Sequence, residues 1–301
     1  MDRQSKNLLQ NKCLENRMKI IYIMGAGRSG STILDILLGN GEDILSCGEL
    51  NRYVGRQGIP SYWHHIENSP TAIFWKKIGT KLRNKFPDDI EFSQLKKLTR
   101  KYEYHRGIFN LSFDKKEWSR YSHFVSTLYE TIFENISQPT IVDSSKYPYR
   151  ALKVAEILPY EIGFIYLKRD PRGVVKSFAK KGIPLKSKPW LSANLYYLLN
   201  NLLCQFAVYR LKKKHKVVEV KYEALIGKPI ETLTRIQDEL QINLEPAIEK
   251  VKQDEFLMLG PIFEGNMLRM TDKIKLEKKL SVYPKTVKNW FTRLINFVVY
   301  R

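Results

Sequence analysis

The sequence predicts an α/β fold of three layers, with helices on both faces of a central parallel sheet and a helical insertion in the middle of the chain. Three observations lead there. Residues 20–38 read as a strand, a glycine-rich loop and a helix. Residues 140–182 read as strand, helix, strand, helix, an alternation that builds parallel sheets. Between them, residues 50–138 hold aromatic and charged side chains and few β-rich runs.

Taken in order, residues 1–18 are polar, lack a signal-peptide core and are expected as a flexible tail. A single domain is expected over 19–301. Residues 20–24 are a short apolar, β-rich run, the mark of a buried strand. Gly25, Gly27 and Gly30 let the chain turn sharply and approach a ligand. From Ser31 the period becomes helical: Ile33, Leu34, Leu37 and Leu38 form a stripe that ends near Gly39 and the Asn40-Gly41 turn. Residues 43–47 are a second strand candidate, ending at Gly48-Glu49. Within the insertion, 70–85 and 118–136 look helical. Residues 140–142 are the third strand, 148–158 a helix stopped by Pro159, and 162–167 the fourth strand. Asp170-Pro171 opens the next helix, with aspartate as N-cap and proline at the first position. That helix is expected to run to about Lys181-Gly182. A long helix is expected over 190–214, a strand over 216–222 and a helix over 229–240. A glycine-bearing loop at 260–269 and a basic amphipathic tail complete the chain.

With 301 residues, 43% of them hydrophobic, the chain can bury a large core. Lys and Arg number 51 against 31 Asp and Glu, a net charge of +20, which favours anionic partners. The excess is uneven: residues 146–190 carry eleven Lys/Arg and three Asp/Glu. Cys13, Cys47 and Cys204 lie far apart, without metal-ligand spacing or an even count, so a reduced, cytoplasmic setting is expected. Adjacent His64 and His65 do not readily converge on one metal, and no metal site is expected. No apolar run reaches membrane-spanning length. The basic amphipathic tail suits peripheral contact with a membrane.

Two familiar patterns fit the first loop. Gly25-Ala26-Gly27-Arg28-Ser29-Gly30 is a literal GxGxxG. Gly25-x4-Gly30 followed by Ser31-Thr32 is a P-loop-like Walker pattern with Ser31 where the lysine belongs. That lysine serves the β- and γ-phosphates, so its absence argues against an ATP-using phosphotransferase. Arg28, Ser29, Ser31 and Thr32 instead gather a guanidinium and three hydroxyls at a helix start, a combination suited to an anion. A NAD-binding Rossmann oxidoreductase is a further reading, since Glu49 falls about 20 residues on, where an acidic ribose ligand would stand. It leaves Arg169 and Ser177 unexplained. A basic module that binds nucleic acid lacks any recognisable motif.

Ligands of open parallel sheets sit beyond the carboxyl ends of the strands. Four polar clusters fall at such ends: Arg28, Glu49, Asp143-Ser144-Ser145-Lys146 and Lys168-Arg169-Asp170. Arg169 before a helix and Ser177 two turns into it can flank one phosphate, although Arg169 could instead pair with Asp170. Two anion sites side by side suit a nucleotide with phosphate at both ends of its ribose.

Gly27-Arg28-Ser29-Gly30-Ser31-Thr32 resembles the 5′-phosphosulfate loop of sulfotransferases, and Arg169-Asp170-Pro171-Arg172-Gly173-Val174-Val175-x-Ser177 resembles their 3′-phosphate motif. Asp143-Ser144-Ser145-Lys146, Tyr222-Glu223-Ala224-Leu225 and Gly265-Asn266-Met267-Leu268-Arg269 are similar to segments of bacterial members. The late-strand motif of the family is Tyr-Glu-Asp-Leu; its aspartate is Ala224 here. The arginine form of the loop resembles carbohydrate and tyrosyl-protein sulfotransferases and bacterial relatives, whereas cytosolic steroid and phenol enzymes carry lysine there.

The resemblance implies a donor, 3′-phosphoadenosine 5′-phosphosulfate (PAPS), and transfer of its sulfuryl group to an acceptor hydroxyl without metal. It implies donor contacts from Gly27, Arg28, Ser29, Gly30, Ser31, Thr32, Arg169, Ser177 and Tyr222, with Asn266 and Arg269 folding back as a lid. Cys47-Gly48-Glu49 resembles the segment that supplies the glutamate base of tyrosyl-protein sulfotransferases, so Glu49 is the expected base, although it could instead cap the next helix or hold Arg28 or Arg52. Arg28 would bind the phosphosulfate and Lys146 would steady the bridging oxygen. His64, His65, His105 and His123 are competing bases. The insertion is expected to shape the acceptor site, with a carbohydrate or glycolipid hydroxyl as acceptor.

Overall fold

The run at 20–24 becomes β1 (Lys19–Gly25), buried along its whole length. In the computed structural model, residues 18–62, 67–86, 92–104, 114–179, 187–278 and 290–300 are described, Arg269 by its backbone alone. β1 is the central strand of a five-stranded sheet with β2 (Ile44–Gly48), β3 (Thr140–Lys146), β4 (Glu161–Lys168) and β5 (Val217–Lys221), in the order β2-β3-β1-β4-β5. All four pairings are parallel. The chain therefore leaves β1 to one side for β2 and β3 and to the other for β4 and β5, so the carboxyl ends of β3, β1 and β4 lie together at the reversal point.

Side chains alternate across β1. Ile20, Tyr22 and Met24 enter one core with Trp75, Leu98, Tyr129, Val154, Phe164 and Cys204. Ile21 and Ile23 enter the other with Leu34, Leu37, Val142, Ile165, Val220 and Leu233. The second core is covered by α1 (Ser31–Leu38), α8 (Tyr222–Gly227), α9 (Pro229–Leu240) and α10 (Glu245–Lys252). The first is covered by α5 (Pro148–Ile157), α7 (Trp190–Leu211) and the helices of the insertion. The three-layer α/β expectation is what the chain adopts.

Among its described residues the insertion has three α-helices, α2 (Pro70–Lys85), α3 (Phe92–Glu103) and α4 (Lys115–Phe133), where the sequence suggests two. α3 is easily passed over because lysine and arginine dominate it, yet Leu95, Leu98, Thr99 and Tyr102 keep a helical stripe that is buried. β3 runs on through Lys146 because a register shift between Tyr22 and Met24 of β1 absorbs the Asp143–Lys146 turn. α6 (Pro171–Ala179) is described to Ala179; its expected end at Lys181-Gly182 lies outside the described residues, as does the tail at 1–17. Tyr222, expected at the end of β5, instead opens α8. β6 (Leu257–Met258) pairs antiparallel with β7 (Lys273–Ile274), and α11 (Trp290–Val299) is helical as the amphipathic pattern requires.

A buried ion network joins β3 to the insertion. Arg150 on α5 pairs with Glu103 of α3 and lies 3.5 Å from Asp143 of β3, all three within 2% of full burial. Tyr121 Oη donates to Glu103 at 3.0 Å, and Tyr129 Oη donates to Asp143. Removing one partner of such a group strands the others' charge in low dielectric. Arg150→Ala should therefore lower the unfolding free energy by about 3–5 kcal/mol. Urea denaturation checks this against Lys228→Ala, whose exposed pair with Glu231 should leave the midpoint unchanged.

A second buried carboxyl, Asp35 of α1, accepts hydrogen bonds from Ser46 of β2 and, at 2.5 Å, from Ser144 of β3. Burial raises it from its ordinary 3.8 to about 7, against the two hydroxyls that favour its charged form. Between those values the folded chain holds a proton that the unfolded chain has lost. The contribution of Asp35 to stability is thus whole below about pH 4 and is lost as pH rises towards 7. Asp35→Asn does not titrate. Its stability relative to the parent should climb across this window and level off above it, as measured by guanidinium unfolding at roughly pH 4, 5.5 and 8.

Candidate functional site

The loop after β1 is shaped by close approach. A Cβ on Gly25 would strike the Leu167 carbonyl of β4, and one on Gly30 would strike the Tyr222 ring. Gly30 has φ 96°, in the left-handed region, and precedes α1 with no side-chain cap on the helix start. The first amides of α1 are therefore available to an anion. Arg28 also has a left-handed φ, 70°, a conformation that costs a non-glycine residue energy and is kept where surroundings impose it.

Around this loop polar groups stand without partners. Ser29 Oγ is buried and makes no hydrogen bond. The Arg28 guanidinium lies over the Phe178 ring at 5.5 Å, and no carboxylate among the described residues pairs with it. Burial lowers its pKa, the response of a cation without a counterion. Ser31 and Thr32 are buried at the helix start, and Thr32 Oγ1 accepts from the Asn266 amide at 3.1 Å. That bond seats the late loop on the first one. The Asn266 side chain itself accepts from the Met267 amide, and the Arg269 side chain lies outside the described residues.

At the end of β4, Arg169 reaches across to the same loop. Its Nη1 donates to the Arg28 carbonyl at 3.0 Å and its guanidinium lies over the Tyr222 ring at 4.1 Å. Its Nε is buried without a partner. Asp170 does not take it: the carboxylate accepts from Arg172, 2.5 Å at the closest, and from the Arg172 amide at 2.8 Å as a cap of α6. Ser177 is half-buried on α6. Glu223 of α8 accepts from the Asp170 amide at 3.0 Å and from Tyr300 Oη at 2.5 Å, and Asn296 donates to Asp170 at 3.3 Å. The C-terminal helix thus braces this corner.

Glu49 and Lys146 meet as an ion pair, with Arg52 Nε 3.5 Å from the other carboxylate oxygen. Burial pushes the Glu49 carboxyl up, but Lys146 and Arg52 together outweigh it and hold it below its ordinary value. Lys146 has φ 72°, the second cation of the rim in a left-handed conformation. The turn that carries it is fixed by Ser145, whose amide donates to Asp143 at 2.9 Å and whose Oγ accepts from the Asn51 amide at 3.0 Å. Beyond Arg52 lies a cavity of about 240 Å³ between residues 50–56 and α3.

Contacts thus join Arg28, Arg169 and Tyr222 in one set, Thr32 and Asn266 in a second, and Glu49 and Lys146 in a third. Reading the sequence missed Tyr196, which accepts from the Gly27 amide at 2.9 Å. It also missed Tyr300 and the bond that Glu223 makes to the Asp170 amide. Tyr196 carries no local signal, being one aromatic in an apolar helix, whereas the contact of Arg52 with Glu49, three residues apart, is one the sequence offers. Of the competing bases, His64, His65 and His105 lie outside the described residues. His123 is exposed on α4, packed on Phe86 at 5.0 Å between ring centroids. Cys47 and Cys204 are buried free thiols. Among the described residues no helix is long and apolar enough to cross a membrane.

The chain resembles solved sulfotransferase domains in fold. The domain from the curacin biosynthetic pathway is 18% identical, with 93% of this chain and 97% of that one covered at a TM-score of 0.51. The domain from the Synechococcus PCC 7002 olefin synthase is also 18% identical, with 95% and 96% covered at 0.47. No curated protein matches the chain. A model of the sulfotransferase family matches residues 21–246, a span that runs from within β1 past the end of β5, and the chain belongs to that family.

Proposed function

We propose that the protein transfers a sulfuryl group from PAPS to an acceptor hydroxyl, using its own cations in place of a metal. The observation that carries this is the pair Arg28 and Arg169: two guanidinium groups in contact through the Arg28 carbonyl, neither paired with a carboxylate among the described residues. Such a pair is stable beside an uncapped helix start when an anion with charge at two places binds there. Gly27, Ser29, Gly30, Ser31 and Thr32 would hold the 5′-phosphosulfate with Arg28. Arg169 and Ser177 would hold the 3′-phosphate, with Tyr222 as the platform under Arg169 and Asn266 and Arg269 closing above.

In the reaction the acceptor oxygen bonds to sulfur while the bond from sulfur to the bridging phosphate oxygen breaks. The electron pair leaves with 3′-phosphoadenosine 5′-phosphate (PAP), and the hydroxyl proton passes to Glu49. Positive charge on the sulfuryl and bridging oxygens comes from Arg28 and Lys146. Lys146 holds Glu49 in the free protein. Turning to the donor's bridging oxygen, it would release the carboxylate, and burial would then make Glu49 a stronger base.

PAP should bind with no metal added and in the presence of EDTA. Arg169→Ala should weaken it by about 1.5–3 kcal/mol, the range for a hydrogen bond to a charged group. Ser177→Ala together with Arg169→Ala should weaken PAP far more than adenosine 5′-phosphate, which lacks the 3′-phosphate. Calorimetry with both nucleotides decides; equal losses reject the assignment.

Glu49→Gln should reduce turnover about 10²–10⁴-fold and leave PAP affinity nearly unchanged. It should also remove the acidic limb of the pH–rate profile. Lys146→Ala should slow turnover but leave that limb in place, because with donor bound Lys146 has already turned from Glu49 to the bridging oxygen. A Glu49→Gln protein with normal turnover would shift the role of base to a histidine of the insertion.

A further inference from the structure

We infer that the cavity beside Arg52 selects an acceptor that carries a phosphate monoester, of about the size of a sugar phosphate. The inference rests on the transfer reading above for the reaction, but on its own residues for the ligand. The cavity, about 240 Å³, is lined by Asn51, Arg52, Arg56, Lys96, Arg100 and Tyr104, among others, with no acidic residue among the described residues of its wall. Arg56 is paired with Glu264 at 3.1 Å, and Arg52 faces Glu49, which Lys146 already holds. Lys96 and Arg100 pair with no carboxylate among the described residues. Two cations thus stand on one side of the cavity, one turn apart on α3, with no carboxylate partner among the described residues. A dianion matches them.

Asn51 supplies the second observation. It is 4% exposed, and neither Oδ1 nor Nδ2 has a hydrogen-bond partner, although its backbone is fixed to Ser145. Buried amides are rarely left so. A phosphate alone could accept from Nδ2 but, as a dianion, has no proton to give Oδ1. A hydroxyl both donates and accepts. The ligand therefore bears hydroxyl and phosphate together. The volume is below the roughly 300 Å³ where drug-sized sites begin, which suits one ring and its phosphate rather than a chain of sugars. Tyr104, tilted against Tyr147 with ring centroids 4.9 Å apart, lines the cavity wall with an aromatic face. With the phosphate at Lys96 and Arg100, the far end of the ligand points past Arg52 towards Glu49. The acceptor's phosphate changes no bond; its hydroxyl oxygen forms the new bond to sulfur.

The test is calorimetric titration of the full chain with a panel of hexose and pentose monophosphates and the same sugars without phosphate. It is run with and without saturating PAP, so that the donor's own phosphate sites are blocked in one arm. At least one sugar phosphate should bind in both arms while its parent sugar does not. The double variant Lys96→Gln, Arg100→Gln, both exposed residues, should weaken that binding by at least about tenfold and leave PAP affinity unchanged. Absence of binding across the panel overturns the inference, as does equal binding of sugar and sugar phosphate. So does loss of binding on Arg169→Ala but not in the double variant, which would place the ligand in the donor loop. If PAP fails to bind but the double variant still abolishes sugar-phosphate binding, the donor reading falls and the cavity assignment stands.

Discussion

The ion network of Asp143, Arg150 and Glu103 is the constraint on which the rim depends. Each charge is buried, so each needs the others in place. Asp143 ends the regular part of β3, Arg150 lies one turn into α5, and Glu103 ends α3. Satisfying one arginine therefore ties the consecutive β3 and α5 to α3, which lies some way back in the chain. The same Asp143 carboxylate accepts from the Ser145 amide and hydroxyl, and Ser145 Oγ accepts from the Asn51 amide. The network thus reaches the left-handed Lys146 on one side and the cavity wall on the other. Positions that unfavourable in φ persist when the backbone around them is over-determined, and here the determining bonds can be named.

The loop after β1 is constrained differently, by crowding rather than by charge. Gly25 is pressed against β4 and Gly30 against Tyr222, so the loop can neither rise nor slide. Arg169 then uses the Arg28 carbonyl as its acceptor, which spends a main-chain oxygen and leaves both guanidinium groups without an anion. Asp170, the carboxylate nearest in sequence, is withdrawn by Arg172 and by its work as a helix cap. The arrangement keeps positive charge at the rim at the expense of local pairing, and Glu223, Tyr300 and Asn296 hold Asp170 in that role.

Much of this was legible where chemistry is local. The strand, loop and helix at 19–38, the Asp170-Pro171 start and the alternation after residue 140 all follow from spacing within a few residues. The placement of Glu49 against Lys146 was not legible: they are 97 positions apart, and only the order β2-β3-β1 makes their strands neighbours. Strand order is a tertiary outcome and leaves no local signature. Arg150 reads as an ordinary helix residue until Glu103 is brought to it from 47 positions away. α3 was missed because its buried stripe is narrow and its other faces are basic. Arg169 was ambiguous for a simpler reason: sequence adjacency favours Asp170, while the carboxylate points to Arg172, two residues on in the first turn of α6.

Charge accounting at the rim links the two halves of the site. Arg28, Arg169, Lys146 and Arg52 all lie at carboxyl ends of strands or just beyond, where their mutual repulsion opposes folding. Glu49 relieves part of it by binding Lys146 and Arg52 at once, and its lowered pKa is the measure of that relief. The same lowering makes it a weak base. A carboxylate that stabilises the empty site and abstracts a proton in the occupied one must lose a cation in between. On the proposed reading the donor takes Lys146 from it. Burial, already the largest influence on Glu49 and opposed only by its cations, then raises its basicity when an acceptor is present to use it. On the same reading Arg52 stays with the carboxylate and, because it also lines the cavity, would limit how far that basicity rises and align the acceptor against the same group.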